Sequence, residues 1–248
     1  MPASLINLSQ LRRGCAHCSL QQLCLPGGLD GEELQRLDDV VQRRREIERG
    51  ARLFRVGDPM GAVFVAREGA FKSVSQDENG NESIVGFHLP GELIGLDAMG
   101  SGEHRCEAVA LTPALVCQVP YEQLTEVAAQ LPALRRQLLR VIGQEVGRGH
   151  EQIELLMRRQ ASERIAMFLH GLSERYQRLG HDGLAFRLPM SRDEIANYLG
   201  LALETVSRGF SRLQDEGVID VHGRAISIRD ARQLHGIAHG EDNARARA

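Results

Sequence analysis

A chain of 248 residues exceeds one average domain of ~150 residues and suits two small ones. Hydrophobic residues at 42% and charged residues at 25% exclude a wholly disordered chain, and no run approaches the ~18 apolar residues that a membrane span needs. The formal net charge of -3 excludes bulk basicity as a basis for nucleic-acid binding and leaves only a local patch; Lys72 is the single lysine, so almost all positive charge is arginine.

The opening stretch, MPASLINLSQLRRG, lacks a charged region followed by an apolar one, so a secretory signal is not expected. In the reducing compartment this implies, lasting disulfides are rare. Three of the five cysteines, Cys15, Cys18 and Cys24, fall in a C-x2-C-x5-C pattern. Thiolates are soft ligands for iron–sulfur clusters, zinc or Cu(I). A short polar segment has little apolar area to bury, so a bound metal or cluster is what would order it. A redox C-x-x-C or scattered structural cysteines are the bland alternative. Such sites require four ligands, and the fourth is either Cys106 or Cys117; composition does not choose between them.

After Pro26-Gly27-Gly28 the pattern predicts a short amphipathic helix, Gly31 to Val41, then a basic stretch, Arg43-Arg44-Arg45. From Glu46 to Pro120 the segments are short, rich in Val, Ile and Phe, and broken by glycine turns, as in Ala62–Ala66, Phe71–Ser75 and Ser83–His88. This texture predicts an antiparallel roll or barrel. Cys117 sits in the alternating strand ALVCQVP, where a small core residue would also fit. A short helix follows over Tyr121–Ala129, and Pro132 marks a boundary.

From Leu134 to Arg159 the pattern is helical. Leu138, Ile142, Val146, Gly149, Ile153 and Leu156 lay an apolar seam along one face, which suits a dimer interface or a core helix packed on its own roll. Gly143, Gly147 and Gly149 weaken it, each by ~1 kcal/mol relative to alanine, or let two backbones approach. A helix over Ala161–Leu179 and a strand or extended entry, Phe186–Met190, come next. Ser191 to Glu194 reads as a capping box opening a helix over Arg192–Leu199 that Gly200 stops. A second helix runs from Leu203 to Glu216, and two strands, Val218–Val221 and Ala225–Ile228, close the domain.

Two short helices with a glycine turn, followed by a ribbon, predict a winged helix–turn–helix. In its second helix Val206, Phe210 and Leu213 share the core face, and Glu204, Ser207, Arg208 and Ser211 share the other. Such a face offers bidentate donation from Arg208 to guanine, acceptance by Glu204 from cytosine, and either role for Ser207; a merely solvated face is the alternative. From Gln160 onward 12 arginines stand against 12 acidic residues, so affinity must come from local arginines, helix N-termini and two linked domains. Ala202 stands where a capping side chain is expected, leaving the helix ~1 kcal/mol weaker off DNA.

From Arg13 to Leu234 the chain resembles the FNR branch of the CRP/FNR superfamily of bacterial transcription regulators. The resemblance rests on C-A-H-C-S-L-Q-Q-L-C-L-P (Cys15–Pro26), the stretch Ile84–Gly102, V-C-Q-V-P (Val116–Pro120) and N-Y-L-G-L-A-L-E-T-V-S-R (Asn197–Arg208). It implies an α+β fold: an N-terminal β-roll of the cyclic-nucleotide-binding kind, a long dimerisation helix and a C-terminal winged helix–turn–helix. Boundaries follow as a cysteine segment over 1–28, the roll over 29–130, the dimer helix over 131–159, the DNA-binding domain over 160–240 and a disordered tail over 241–248.

The resemblance also implies a [4Fe–4S] cluster on Cys15, Cys18, Cys24 and Cys117, with Ser19 and Leu23 shaping oxygen access and Cys106 outside the ligand set. The family's E-x-x-S-R motif maps onto Glu204, Ser207 and Arg208, implying a two-fold operator with TTGAT-like half-sites. Cytoplasmic location, a homodimer, double-stranded DNA and RNA polymerase are the implied setting and partners, with Asp77–Asn81 a candidate activating loop. In such proteins oxygen converts the cluster toward [2Fe–2S] and then apo protein, and the dimer loosens.

Two other regulators stay open. One is controlled by a cyclic nucleotide, since Gly91-Glu92-Leu93 followed by Arg105-Cys106-Glu107-Ala108 faintly resembles a phosphate-binding stretch, though the intervening segment is longer and cysteine replaces its serine. The other is stabilised by zinc. No P-loop, H-E-x-x-H or nucleophile elbow is present, so an enzyme is not expected.

Overall fold

The computed structural model describes residues 14–158 and 160–240. The expected disordered tail, 241–248, lies outside the described residues, as do the first thirteen. The chain divides into two compact units. One takes the chain up to Phe71 together with His88–Gln144; the other takes Lys72–Phe87 with the chain from Glu145 onward.

In the first unit the cysteine segment leads into helix α1 (Gly31–Val40). Asp30 caps it: its Oδ1 accepts from the amides of Glu32 and Glu33, while Glu33 Oε2 accepts the Asp30 amide. The strands of the roll are β1 (Gln42–Ile47), β2 (Arg52–Phe54), β3 (Ala62–Glu68), β4 (Phe71–Gln76), β5 (Glu82–His88), β6 (Leu93–Ile94), β7 (Glu107–Ala110) and β8 (Ala114–Pro120), of which β4 beyond Phe71 and β5 up to Phe87 are counted with the second unit. The basic stretch is therefore part of strand β1. Two antiparallel sheets form, ordered β1-β8-β3-β6 and β2-β7-β4-β5. At the turn between β3 and β4, Gly69 has φ +78°, and a Cβ there would meet the Pro113 carbonyl at 2.6 Å, so glycine alone fits.

Strand alternation gives the first sheet a core on each face. Ala62, Phe64, Ala66, Ala114 and Val116 turn inward to the core that also holds Phe54, Phe71 and Cys106. Val63, Val65 and Val119 turn outward. On that outer face pack Leu25, Leu34 and Leu37 with Leu124 of α2 (Tyr121–Gln130) and Leu134, Leu138 and Val141 of α3 (Pro132–Met157). Pro132 is the first residue of α3, a position where its missing amide costs nothing.

The second unit holds α4 (Ala161–Arg178), β9 (Ala185–Arg187), α5 (Arg192–Leu199), α6 (Leu203–Asp215), β10 (Ile219–His222), β11 (Ala225–Ile228) and α7 (Ala231–Ala238). The expected ribbon has three strands, ordered β10-β11-β9, because Phe186 pairs with Ile226. Pro189, without an amide, follows shortly, so the strand ends before Met190. Helix α7 has no counterpart in the sequence reading; Asp230 caps it and Leu234 and Ile237 bury its inner face. The β4–β5 hairpin belongs to this unit, where Lys72 Nζ donates to Glu194 Oε1 at 2.9 Å.

Candidate metal centre and nucleic-acid interface

The outer face of β8 carries Leu115, Cys117 and Val119, and Val65 of β3 lies beside Cys117 in register. Opposite them the cysteine segment folds into a short 3-10 turn over Cys15–His17 and a chain of turns. Together they enclose a cavity of about 840 Å³ lined by Cys15, Cys18, Cys24 and Cys117. Tertiary packing thus brings together the four cysteines, and it separates the fifth. Cys106 lies in the roll interior, its Sγ–H donating to Asp97 Oδ2 at 3.4 Å. Of the two residues expected to shape access, Ser19 is exposed and Leu23 is half-buried; Leu20 and Gln21 line the cavity between Cys18 and Cys24. The turn directs the Ser19 side chain to solvent and sets Leu23 against Gly91.

Burial, then the Asp38 carboxylate, push the Cys15 thiol up to about 12. Burial pushes Cys24 higher still, and Cys15, Cys117 and Cys18 each add to it, so the four sulfurs feel one another. Such thiols ionise only if a cationic centre offsets the charge. Asp38 Oδ1 also accepts the Cys15 amide at 3.0 Å, fastening the start of the segment to α1. Among the described residues no three His, Cys, Asp or Glu side chains stand as a ready site for a metal ion. Tetrahedral zinc, with Zn–S of ~2.3 Å, would need its sulfurs within ~3.8 Å of one another. Cys15, Cys18, Cys24 and Cys117 line one cavity, and four thiolates are a donor set that either a zinc ion or an iron–sulfur cluster takes.

In the second unit Ser191 Oγ accepts the Glu194 amide at 3.1 Å and Glu194 Oε2 accepts the Ser191 amide at 2.7 Å, the capping box read from sequence. Gly200, at φ +61°, ends α5 in the left-handed region. Val206, Phe210 and Leu213 bury the inner face of α6, and the Arg192 guanidinium lies 3.7 Å from the Phe210 ring centre, holding α5 on α6. Glu204, Ser207, Arg208 and Ser211 are all exposed on the other face. No side chain caps α6 at Ala202, and the Thr205 and Val206 amides bond the Ala202 carbonyl.

Residues 44–130 match the cyclic nucleotide-binding domain family and residues 163–237 the Crp-like helix-turn-helix domain family. The chain is 46% identical to the transcriptional activator protein anr of Pseudomonas aeruginosa, over 92% of this chain and 93% of that one. It is 40% identical to the fumarate and nitrate reduction regulatory protein of Salmonella typhimurium, over 90% of each. Among solved structures, FixK2 of Bradyrhizobium japonicum superposes with a TM-score of 0.72 at 32% identity, covering 80% of this chain and 97% of that one.

The chain belongs to the FNR branch of the CRP/FNR family.

Like its FNR-branch relatives it is a DNA-binding regulator of transcription and not an enzyme. Among the described residues no helix is long and apolar enough to cross a membrane. In the stretch that resembled a phosphate site, the Asp97 carboxylate takes two backbone amides. Asp97 Oδ2 accepts the amides of Arg105 at 2.8 Å and Cys106 at 3.3 Å, and Oδ1 faces His104 Nδ1 at 3.2 Å. The seam on α3 divides: Leu138 is 9% exposed and packs into its own unit's core, and Ile142 is half-buried. Val146, Gly149, Ile153 and Leu156 are exposed. The side chain that continues this stripe toward the helix start is Leu139, 64% exposed, which the sequence reading missed. The signal was available, since Leu139, Val146 and Ile153 repeat every seven residues.

Proposed function

We propose that this protein is an oxygen-sensing transcription regulator. It holds a [4Fe–4S] cluster on Cys15, Cys18, Cys24 and Cys117 and binds a two-fold operator as a homodimer. The reading rests chiefly on the single cavity that those four cysteines line. The names of the relatives agree with it, one being an anaerobic regulatory protein of Haemophilus influenzae, 42% identical over 89% of this chain and 86% of that one.

When bound, the cluster supplies iron–thiolate bonds that oxygen can destroy. The chain's residues do the rest. Cys15, Cys18 and Cys24 draw the leading segment (1–28) onto Cys117 of the roll (29–130). Leu25, Leu34 and Leu37 carry that order into the core shared with Leu134 and Leu138 of α3. Val146, Gly149, Ile153 and Leu156, with Leu139, form the seam between two copies over 131–159. The domain over 160–240 then presents Glu204, Ser207, Arg208 and Ser211 to half-sites resembling TTGAT, with Arg208 on guanine and Glu204 on cytosine. The Asp77–Asn81 turn, held by the Asp77 carboxylate on the amides of Asn79 and Asn81, is the surface assigned to RNA polymerase. The protein acts in the cytoplasm.

The test is an anaerobic preparation. The expected result is a broad absorbance near ~400 nm that bleaches in air, with iron and sulfide in equal amounts. Size exclusion under nitrogen and then air is expected to show a dimer that dissociates, with loss of operator binding. A colourless zinc protein, or a dimer that keeps its operator in air, would overturn the reading.

A further inference from the structure

Helix α3 carries one polar side chain where its inner face is otherwise apolar. Leu134, Leu138 and Val141 enter the core there, and Gln137 between them is 6% exposed. An unpaired amide buried at such a place is strongly unfavourable, so a glutamine there demands a partner. The partner is the cysteine segment: Gln137 Nε2 donates to the Cys24 carbonyl at 2.8 Å. Its Oε1 accepts from Arg140 Nη1, at 3.4 Å.

A second observation bears on the same contact. Gly27 is not among the glycines with positive φ, so its missing side chain answers to space. A Cβ at Gly27 would come within 2.7 Å of Gln137 Nε2 and 3.1 Å of the Gln22 carbonyl. The segment is bare where the amide lies. The Cys24 amide in turn bonds the Leu20 carbonyl at 3.0 Å, and the Cys24 carbonyl also accepts the Gly27 amide at 3.1 Å, so the carbonyl that Gln137 reads belongs to a hydrogen-bonded turn.

We infer that Gln137 is the positioning residue through which the long helix senses the placement of Cys24. The inference rests on the cluster reading above. With the cluster bound, ligation holds the Cys24 peptide where the amide meets it; without it, that peptide is released and the helix loses the bond.

The test compares the full-length wild type with Gln137→Met, which keeps length and shape without a donor, and with Gly27→Ala, which crowds the amide from the other side. Dimer dissociation constants are measured by anaerobic sedimentation for the cluster-loaded form and for the same protein stripped of iron. A purely structural role would weaken both forms alike. The expected result is that Q137M narrows the gap between loaded and stripped forms by about 10-fold, and that G27A narrows it in the same sense. Reduced iron content in Q137M, with the stripped form melting as wild type does, supports the inference equally, since the amide then places the ligand segment itself. An unchanged gap in both variants, or variants that unfold in the stripped form, overturns it alone. A wild type that contains no iron, or has no gap, overturns the cluster reading with it.

Discussion

Cys117 faces the cysteine segment and Cys106 faces the roll interior, and that difference in direction decides what each sulfur can do. Cys117→Ser is therefore expected to abolish the absorbance near ~400 nm and the bound iron, whereas Cys106→Ser keeps both; an iron and sulfide count on anaerobic protein checks the pair. Arg208 is exposed on α6. Arg208→Ala is expected to weaken operator binding by ~1–3 kcal/mol, about 5- to 150-fold, and to relax discrimination at one base pair while scrambled DNA binds nearly as before. Fluorescence anisotropy on operator and single-substitution duplexes measures it.

At the scale of elements, α3 has two faces, one buried in its own unit's core and one exposed. Leu138 is in its own unit's core, so Leu138→Ala is expected to cost ~2–5 kcal/mol of fold stability, read from a denaturant melt. Ile153 is 58% exposed, so Ile153→Glu is expected to leave the melt of the subunit nearly unchanged and to prevent dimerisation, read by sedimentation. The periodicity that marked the helix could not separate these roles, because core and dimer contacts both ask for apolar side chains. Helix α5 depends on its cap. Ser191→Ala is expected to cost ~1 kcal/mol. Desolvation pushes the Glu194 carboxyl up, but the Ser191 amide and Lys72 outweigh it, and the group is held below the ordinary carboxylate range. A carboxylate lowered on folding stabilises the fold above its unfolded pKa and loses that contribution as pH falls through the folded value. Acid is thus expected to depress the melting temperature below pH ~4.5, less steeply in Glu194→Gln.

For the whole molecule the charge balance sets how DNA is held. The region from Gln160 onward is neutral, with 12 arginines against 12 acidic residues, so few phosphate contacts are expected. Operator affinity is expected to fall by less than about 10³-fold between ~50 and ~200 mM salt, the loss at which six or more phosphate contacts begin to show. A titration of binding against salt decides it.

Local chemistry was legible from sequence alone. The Ser191–Glu194 box, the glycine stops, the alternation of β8 and the inner face of α6 are written in spacing, because capping, turn geometry and strand pleat depend on near neighbours. The cysteine segment and the E-x-x-S-R face were legible as motifs for the same reason. What sequence could not settle was which way distant residues turn when they meet. Only packing of the segment against the outer face of the first sheet put Cys117 with Cys15, Cys18 and Cys24 and left Cys106 inside. Only packing of α3 on the roll buried Leu138, exposed Leu139 and set Gln137 against Cys24. Those outcomes depend on contacts between residues far apart along the chain, where the side chain's direction is fixed by the surfaces that close around it and not by its neighbours in sequence.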